Sequence, residues 1–204
     1  MEITLLYSST VEPVTLSEAK TFLAVDHDEH DSLISALIQA ARERAEEYCN
    51  RSFVEKKYRL SLDTWPPRIH STMHASLRLP RGPVAEVVHV KYKNGETVET
   101  LAESKYTFSS TQLPTILHFI DDLPPVPMAH NAVEIEYITG KYSNTPEEEG
   151  DEIIPFPEPV STAIKMLTRT MYDHRDDMVI GAAVSQLPQS AEYLLKNYRV
   201  FLFQ

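Results

Sequence analysis

Residues 25–31 read VDHDEHD, an unbroken polar run of Asp26, His27, Asp28, Glu29, His30 and Asp31 after one valine. Carboxylates and imidazoles at this density are the ligand types of calcium and zinc sites and the working groups of acid–base catalysis. The spacing argues against the first two. A calcium loop of the EF-hand type needs glycine at its sixth position and a glutamate at its twelfth. Counted from Asp26, those places hold Asp31 and Leu37. The H-E-x-x-H pattern of helical zinc sites is absent, and His27 with His30 makes a pair for which the sequence supplies no evident third ligand. Asp31 stands directly before an apolar periodicity, where a helix N-cap belongs. Asp28 and Glu29 would add negative charge near the positive end of that helix. The run is therefore expected to start a helix, with Asp31 as its N-cap, and to hold no metal.

A second polar cluster lies in MYDHRDDMVIG, residues 171–181, where Asp173, His174, Asp176 and Asp177 could form an acid–base set. A polar helix end running into an apolar loop accounts for them without chemistry, with His174 and Arg175 offsetting acids at the negative end of the dipole. No G-x-S-x-G elbow is present. None of the five glycines lies in a dinucleotide or P-loop pattern, which excludes nucleotide sites of those types. No catalytic residue, cofactor-binding residue or cofactor is expected.

The elements that would carry these residues follow from periodicity. Residues 3–7, ITLLY, suit a short strand. Thr15 with Glu18 three residues later forms a capping box, so Thr15 is the expected N-cap of a helix over roughly residues 16–24. Leu33, Ile34, Leu37, Ile38, Ala41, Ala45, Tyr48 and Cys49 recur at helical spacing, with Arg42, Glu43, Arg44, Glu46 and Glu47 expected on the opposite, solvated side. Cys49 reads as a buried structural thiol. Near residue 53 the period changes to two. KYRLSLDTW alternates, Asn94-Gly95 marks a hairpin, and YTFSS, TILHFI and NAVEIEYITG add strands between frequent prolines. Trp65 in DTWPP reads as a packing residue. Beyond an acidic, proline-containing linker the helical period returns, with Val160, Ile164, Leu167 and Met171 on one face, and a short closing helix carries Leu194, Leu195 and Tyr198.

The expected fold is α+β: a small helical core built from both chain ends, with an inserted antiparallel β unit. The expected division is residues 1–52 as the N-terminal helical segment, 53–142 as the β insertion, 143–159 as the linker and 160–204 as the C-terminal helical segment. The composition, 42% hydrophobic and 24% charged, is that of a globular protein. No apolar run approaches the roughly eighteen residues of a membrane span, and the N-terminus lacks the pattern of a signal peptide. One cysteine in the chain fits a reducing cytoplasm. The net charge of −11 disfavours stable binding to nucleic acid, because a polyanion is repelled.

Several segments, in order, resemble the phage head–tail connector (adaptor) family. EPVTLSEAKTFLAV followed by an acidic turn and DSLISALIQAAR is similar to its opening pair of helices, LRLPRGPVAEVVHVKY to its step into a β hairpin, and NAVEIEYITGKY to its last strand. AIKMLTRTMYDHRDDMVIG and LPQSAEYLLKNYRV are similar to its two closing helices. The stretch over 146–158 departs from the family's pattern in its length. The resemblance implies a structural virion protein without catalytic residues. It implies a homo-oligomeric ring that joins portal to tail, with portal and neck or tail proteins as partners. DNA would pass through without specific binding, and no membrane would be involved. The site of action would be the virion neck, with assembly in the host cytoplasm. The apolar residues Met178, Val179, Ile180, Ala182, Ala183, Val184 and Leu187, kept from the flanking helices by Gly181 and Pro188, are the expected subunit interface. The rival readings are another neck or tail-completion protein, a small metal-dependent hydrolase using 25–31 with His174, and an acidic adaptor for a cellular partner.

Overall fold

The computed structural model describes residues 1–67, 75–120, 122–140, 142, 154–174 and 187–201. The chain divides into two compact units. One comprises residues 10–50 and 142–199 and is helical, and the other comprises residues 1–9, 51–141 and 200–204 and is built of strands.

In the helical unit, α1 (Leu16–Leu23), α2 (Asp31–Cys49), α3 (Glu158–Asp173) and α4 (Gln189–Leu195) pack side by side. Both ends of α1 follow from local chemistry. Thr15 accepts the Glu18 backbone N–H while Glu18 returns to the Thr15 backbone, and Ala24 closes the helix in the left-handed conformation. Replacing Thr15 with alanine is expected to cost about 0.5–2 kcal/mol, read by chemical denaturation. The buried stripe of α2 is Ile34, Ile38, Ala41, Ala45 and Cys49, while Leu33 and Leu37 lie half-buried on its flank. It packs against Val160, Ala163, Ile164 and Leu167 of α3. The Cys49 thiol is fully buried 3.7 Å from the Leu195 carbonyl, as befits a packing group.

The second unit holds an antiparallel five-stranded sheet in the order β1-β2-β8-β4-β5 and a three-stranded sheet in the order β3-β7-β6. Their strands are β1 (Glu2–Ser8), β2 (Lys56–Leu62), β3 (Ser76–Leu79), β4 (Val84–Asn94), β5 (Thr97–Thr100), β6 (Tyr106–Phe108), β7 (Thr115–Phe119) and β8 (Val133–Thr139). Leu60, Val90 and Ile135 from the larger sheet and Leu79, Leu117 and Phe119 from the smaller one share a single core. Two register shifts in β4, after Val84 and after Val87, let Val84, Val87 and Val90 all face inward at a spacing of three. The hairpin turn is Gly95-Glu96, one residue later than the Asn94-Gly95 signal suggests, because Asn94 still pairs with Thr97 and Gly95 supplies the positive φ of 64°. Trp65 packs on Phe119 and Tyr92, and its indole N–H donates to the Pro124 carbonyl at 2.7 Å.

The domain boundaries differ from the sequence reading at both termini. Residues 1–9 belong to the sheet unit and not to an N-terminal helical segment, because β1 forms its ladder with β2, Glu2 opposite Ser61 and Leu5 opposite Tyr58. Residues from 200 onward also group with the sheet unit. Residues 143–153 of the expected linker lie outside the described residues.

Candidate functional site

The polar run 25–31 is resolved by one lysine. Lys20 of α1 places its ammonium 2.6 Å from Asp28 and 2.7 Å from Asp31. The two carboxylates hold Lys20 above its ordinary pKa, chiefly through the bond to Asp28, and Lys20 in turn holds Asp28 below the ordinary carboxylate range. Asp31 is therefore not the N-cap. It is the first helical residue of α2, and His30 occupies the cap position without a side-chain capping bond. The physical reason is competition: the Asp31 carboxylate is taken by the Lys20 ammonium, a charged donor, instead of bending back to the neutral N–H groups of its own first turn. His27 and His30 stack edge to face, and His30 Nδ1 lies 2.6 Å from the Tyr172 hydroxyl of α3, in a bond whose donor depends on the imidazole tautomer. His174 sits at the end of α3, with Nδ1 2.9 Å from the Thr170 carbonyl. The run thus ties α1, α2 and α3 together.

A second ionic cluster escaped the sequence reading. Arg42 and Glu46 do not face solvent as the helical spacing suggested; both are buried in the helical unit. The Arg42 guanidinium donates to Glu46, one turn along α2, at 2.9 Å and to both oxygens of Glu12, from the segment before α1, at 2.8 and 3.1 Å. Burial works against its charged form, and the surrounding carboxylates outweigh that effect, so its pKa rises. The i,i+4 spacing of Arg42 and Glu46 was visible, but Glu12, thirty residues away in the chain, was not a foreseeable partner.

The outer face of the five-stranded sheet carries a third cluster. Arg59, Glu136 and His89 lie in one cross-strand row on β2, β8 and β4. Arg59 donates to Glu136 at 2.6 and 3.0 Å, Lys57 approaches the same carboxylate at 2.9 Å, and His89 lies 3.7 Å away. Burial alone would raise the Glu136 pKa, but the bonds from Lys57 and Arg59 prevail and bring it to about 2. Because the folded pKa lies below the ordinary value of 4.5, the contribution is complete above about pH 4.5 and is lost as the pH falls towards 2. The thermal midpoint is expected to fall through that window. Glu136→Gln should lower the midpoint at neutral pH and make its acid dependence shallower; equal pH curves for the two proteins would contradict this.

Of the interface residues expected from the sequence, Met178, Val179, Ile180, Ala182, Ala183 and Val184 lie outside the described residues, and Leu187 is half-buried. Separately, the structure exposes an apolar surface on β1, where Ile3, Leu5, Leu6 and Tyr7 are all solvent-accessible and Leu5 and Tyr7 are half exposed. ITLLY reads as a strand in sequence, but its place at a sheet edge depends on partners some fifty residues on.

A helical unit interrupted along the chain by a two-sheet unit defines an α+β protein. Similarity to known proteins makes that class specific. The family model described as "Phage gp6-like head-tail connector protein" matches residues 13–121, more than half of the chain. No curated protein matches the sequence. Among solved structures, a chain of the "Neck of empty GTA particle computed with C6 symmetry" shares the fold with a TM-score of 0.73 at 16% identity, over 100% of this chain and 98% of that one. A chain of the "Neck of native GTA particle computed with C12 symmetry" does so with a TM-score of 0.69 at 19% identity and the same coverage. A chain of the "Virion of native gene transfer agent (GTA) particle" is similar, with a TM-score of 0.68 at 17% identity and again the same coverage. The chain belongs to the phage gp6-like head–tail connector family and is a structural virion protein.

Proposed function

We propose that this connector acts as one subunit of a ring in the particle neck, between the portal and the tail, through which DNA passes without being bound. The observation that carries this reading is the family match together with a fold shared over the whole chain with components of necks computed in six- and twelve-fold symmetry. Charge supports the passage of DNA. The helical unit holds 8 Lys and Arg against 19 Asp and Glu, and the sheet unit 11 against 11, so the whole excess of −11 sits in the helical unit. A wall with that excess repels the phosphate backbone and keeps a moving duplex from sticking. The apolar residues 178–184 with Leu187 are a further proposed contact surface. In this reading the protein has no catalytic function and draws on partners rather than substrates.

Deleting the chain should yield DNA-filled heads that lack tails, scored by electron microscopy; tailed, infectious particles without it would overturn the proposal. The hydrolase reading is separated by composition and mutation. Protein purified without added metal is expected to contain no stoichiometric zinc or calcium by elemental analysis. Alanine at His27, His30 and His174 should leave head–tail joining intact, whereas a metal-dependent enzyme would lose metal or activity.

A further inference from the structure

The five-stranded sheet ends in two edges that are both left unguarded among the described residues. β1 is paired only through β2, and every residue from Glu2 to Tyr7 is exposed. Sheet edges open to solvent are normally protected by lysine, proline, an inward charge or a bulge, because their unpaired N–H and C=O groups recruit other strands. Ile3–Ser8 contains neither charge nor proline, and its one register shift, between Leu5 and Tyr7, leaves Glu2–Leu5 regularly paired. At the far side, β5 is also exposed along its whole length, and Val98 is 62% exposed. Its one charge, Glu99, does not guard that edge. The carboxylate is turned onto its own hairpin, accepting from the Tyr92 hydroxyl at 2.6 Å and the Asn94 amide at 2.8 Å.

Three further observations choose the occupant. An edge strand offers a row of backbone donors and acceptors, which another strand matches. The four steps of the order β1-β2-β8-β4-β5 are all antiparallel, so β1 and β5 run in the same direction. A copy related by simple rotation can therefore set its β1 beside β5 as a parallel pair, and every later copy can repeat the same join. Such a heterologous contact closes into rings, whereas β1 pairing with itself stops at a dimer. Charge favours the same surface for self-contact, because the sheet unit is electrically balanced and the helical unit, at −11, repels its own copies.

We infer that β1 of one subunit pairs with β5 of the next, making the five-stranded sheets continuous from subunit to subunit. This join rests on the ring proposed above. The occupant is a second copy of this chain, and the chemistry is backbone hydrogen bonding, with Ile3 and Leu5 flanking the join on one face of the sheet and Val98 on the other.

The experiment uses assembled particles and a short bismaleimide. Cys49 is the only native cysteine and is buried, so the background is low. Thr4→Cys with Val98→Cys in one chain, two exposed positions on the same face of the sheet, should give a ladder of cross-linked multimers extending beyond the dimer, and either single variant should give none. A companion variant, Leu5→Lys, should keep its far-ultraviolet circular dichroism and lose the ring by electron microscopy. Rings that form without the ladder would overturn the β1–β5 join while leaving the connector reading intact. Dimers from Thr4→Cys alone would show β1 pairing with itself and would also overturn it. Particles with no ring of this chain would overturn the connector reading and the join together.

Discussion

Replacing Arg42 with methionine is expected to destabilise the helical unit by about 3–5 kcal/mol, because it takes the cation away from two carboxylates, one of them buried. Glu46 would lose its guanidinium partner in a place from which water is largely excluded, and Glu12 would lose both of its bonds to the same group. A loss of that size is a large fraction of the stability of an ordinary domain, so the variant should accumulate poorly and unfold early in denaturant. The companion measurement separates charge burial from packing. Arg42→Met combined with Glu46→Leu should recover a substantial fraction of the loss, since a well-packed apolar pair commonly matches a buried ion pair in stability. If the single variant is as stable as the parent, Arg42 is not the tie between α2 and the Glu12 segment.

The second large effect is expected at Gly140, at the end of β8. Its φ is 79°, and a Cβ there would stand against the Val54 carbonyl, which is backbone and cannot swing aside. Gly140 also donates its N–H to the Pro83 carbonyl at 3.2 Å, so the strand end cannot shift without losing that bond. Gly140→Ala should cost about 3–5 kcal/mol, through left-handed backbone strain and a backbone overlap together. Gly95→Ala is the internal control. Gly95 has a similar φ of 64° but open space where the Cβ would go, so only the conformational cost of about 1–2 kcal/mol applies. Equal losses at the two glycines, read from denaturation midpoints, would show that the overlap at Val54 is relieved.

The contrast between what was legible in the sequence and what was not follows the range of the interactions. The Thr15–Glu18 box and the turn near Gly95 are encoded within four residues, and both stand where the sequence placed them to within one position. The α2 and α3 faces were legible because helical spacing is itself local; Leu33, Leu37, Tyr48 and Met171 differ only in being half-buried. Asp31 reads as the cap because its place before the helix is a local signal, whereas the lysine that claims its side chain lies eleven residues away. Arg42 and Glu46 read as solvated because charge is a good average guide to exposure, and a partner thirty residues distant reverses it. β1 could be read as a strand, but its neighbour β2 lies beyond two helices, so neither its membership of the sheet nor its open edge could be read locally.

The most direct test of the connector account is a reconstruction of the neck of the intact particle, without imposed assumptions about which protein lies where. The account predicts density for this fold, in repeated copies around the channel axis, between portal and tail. Finding the chain absent from finished particles, or present only away from the channel, would contradict it.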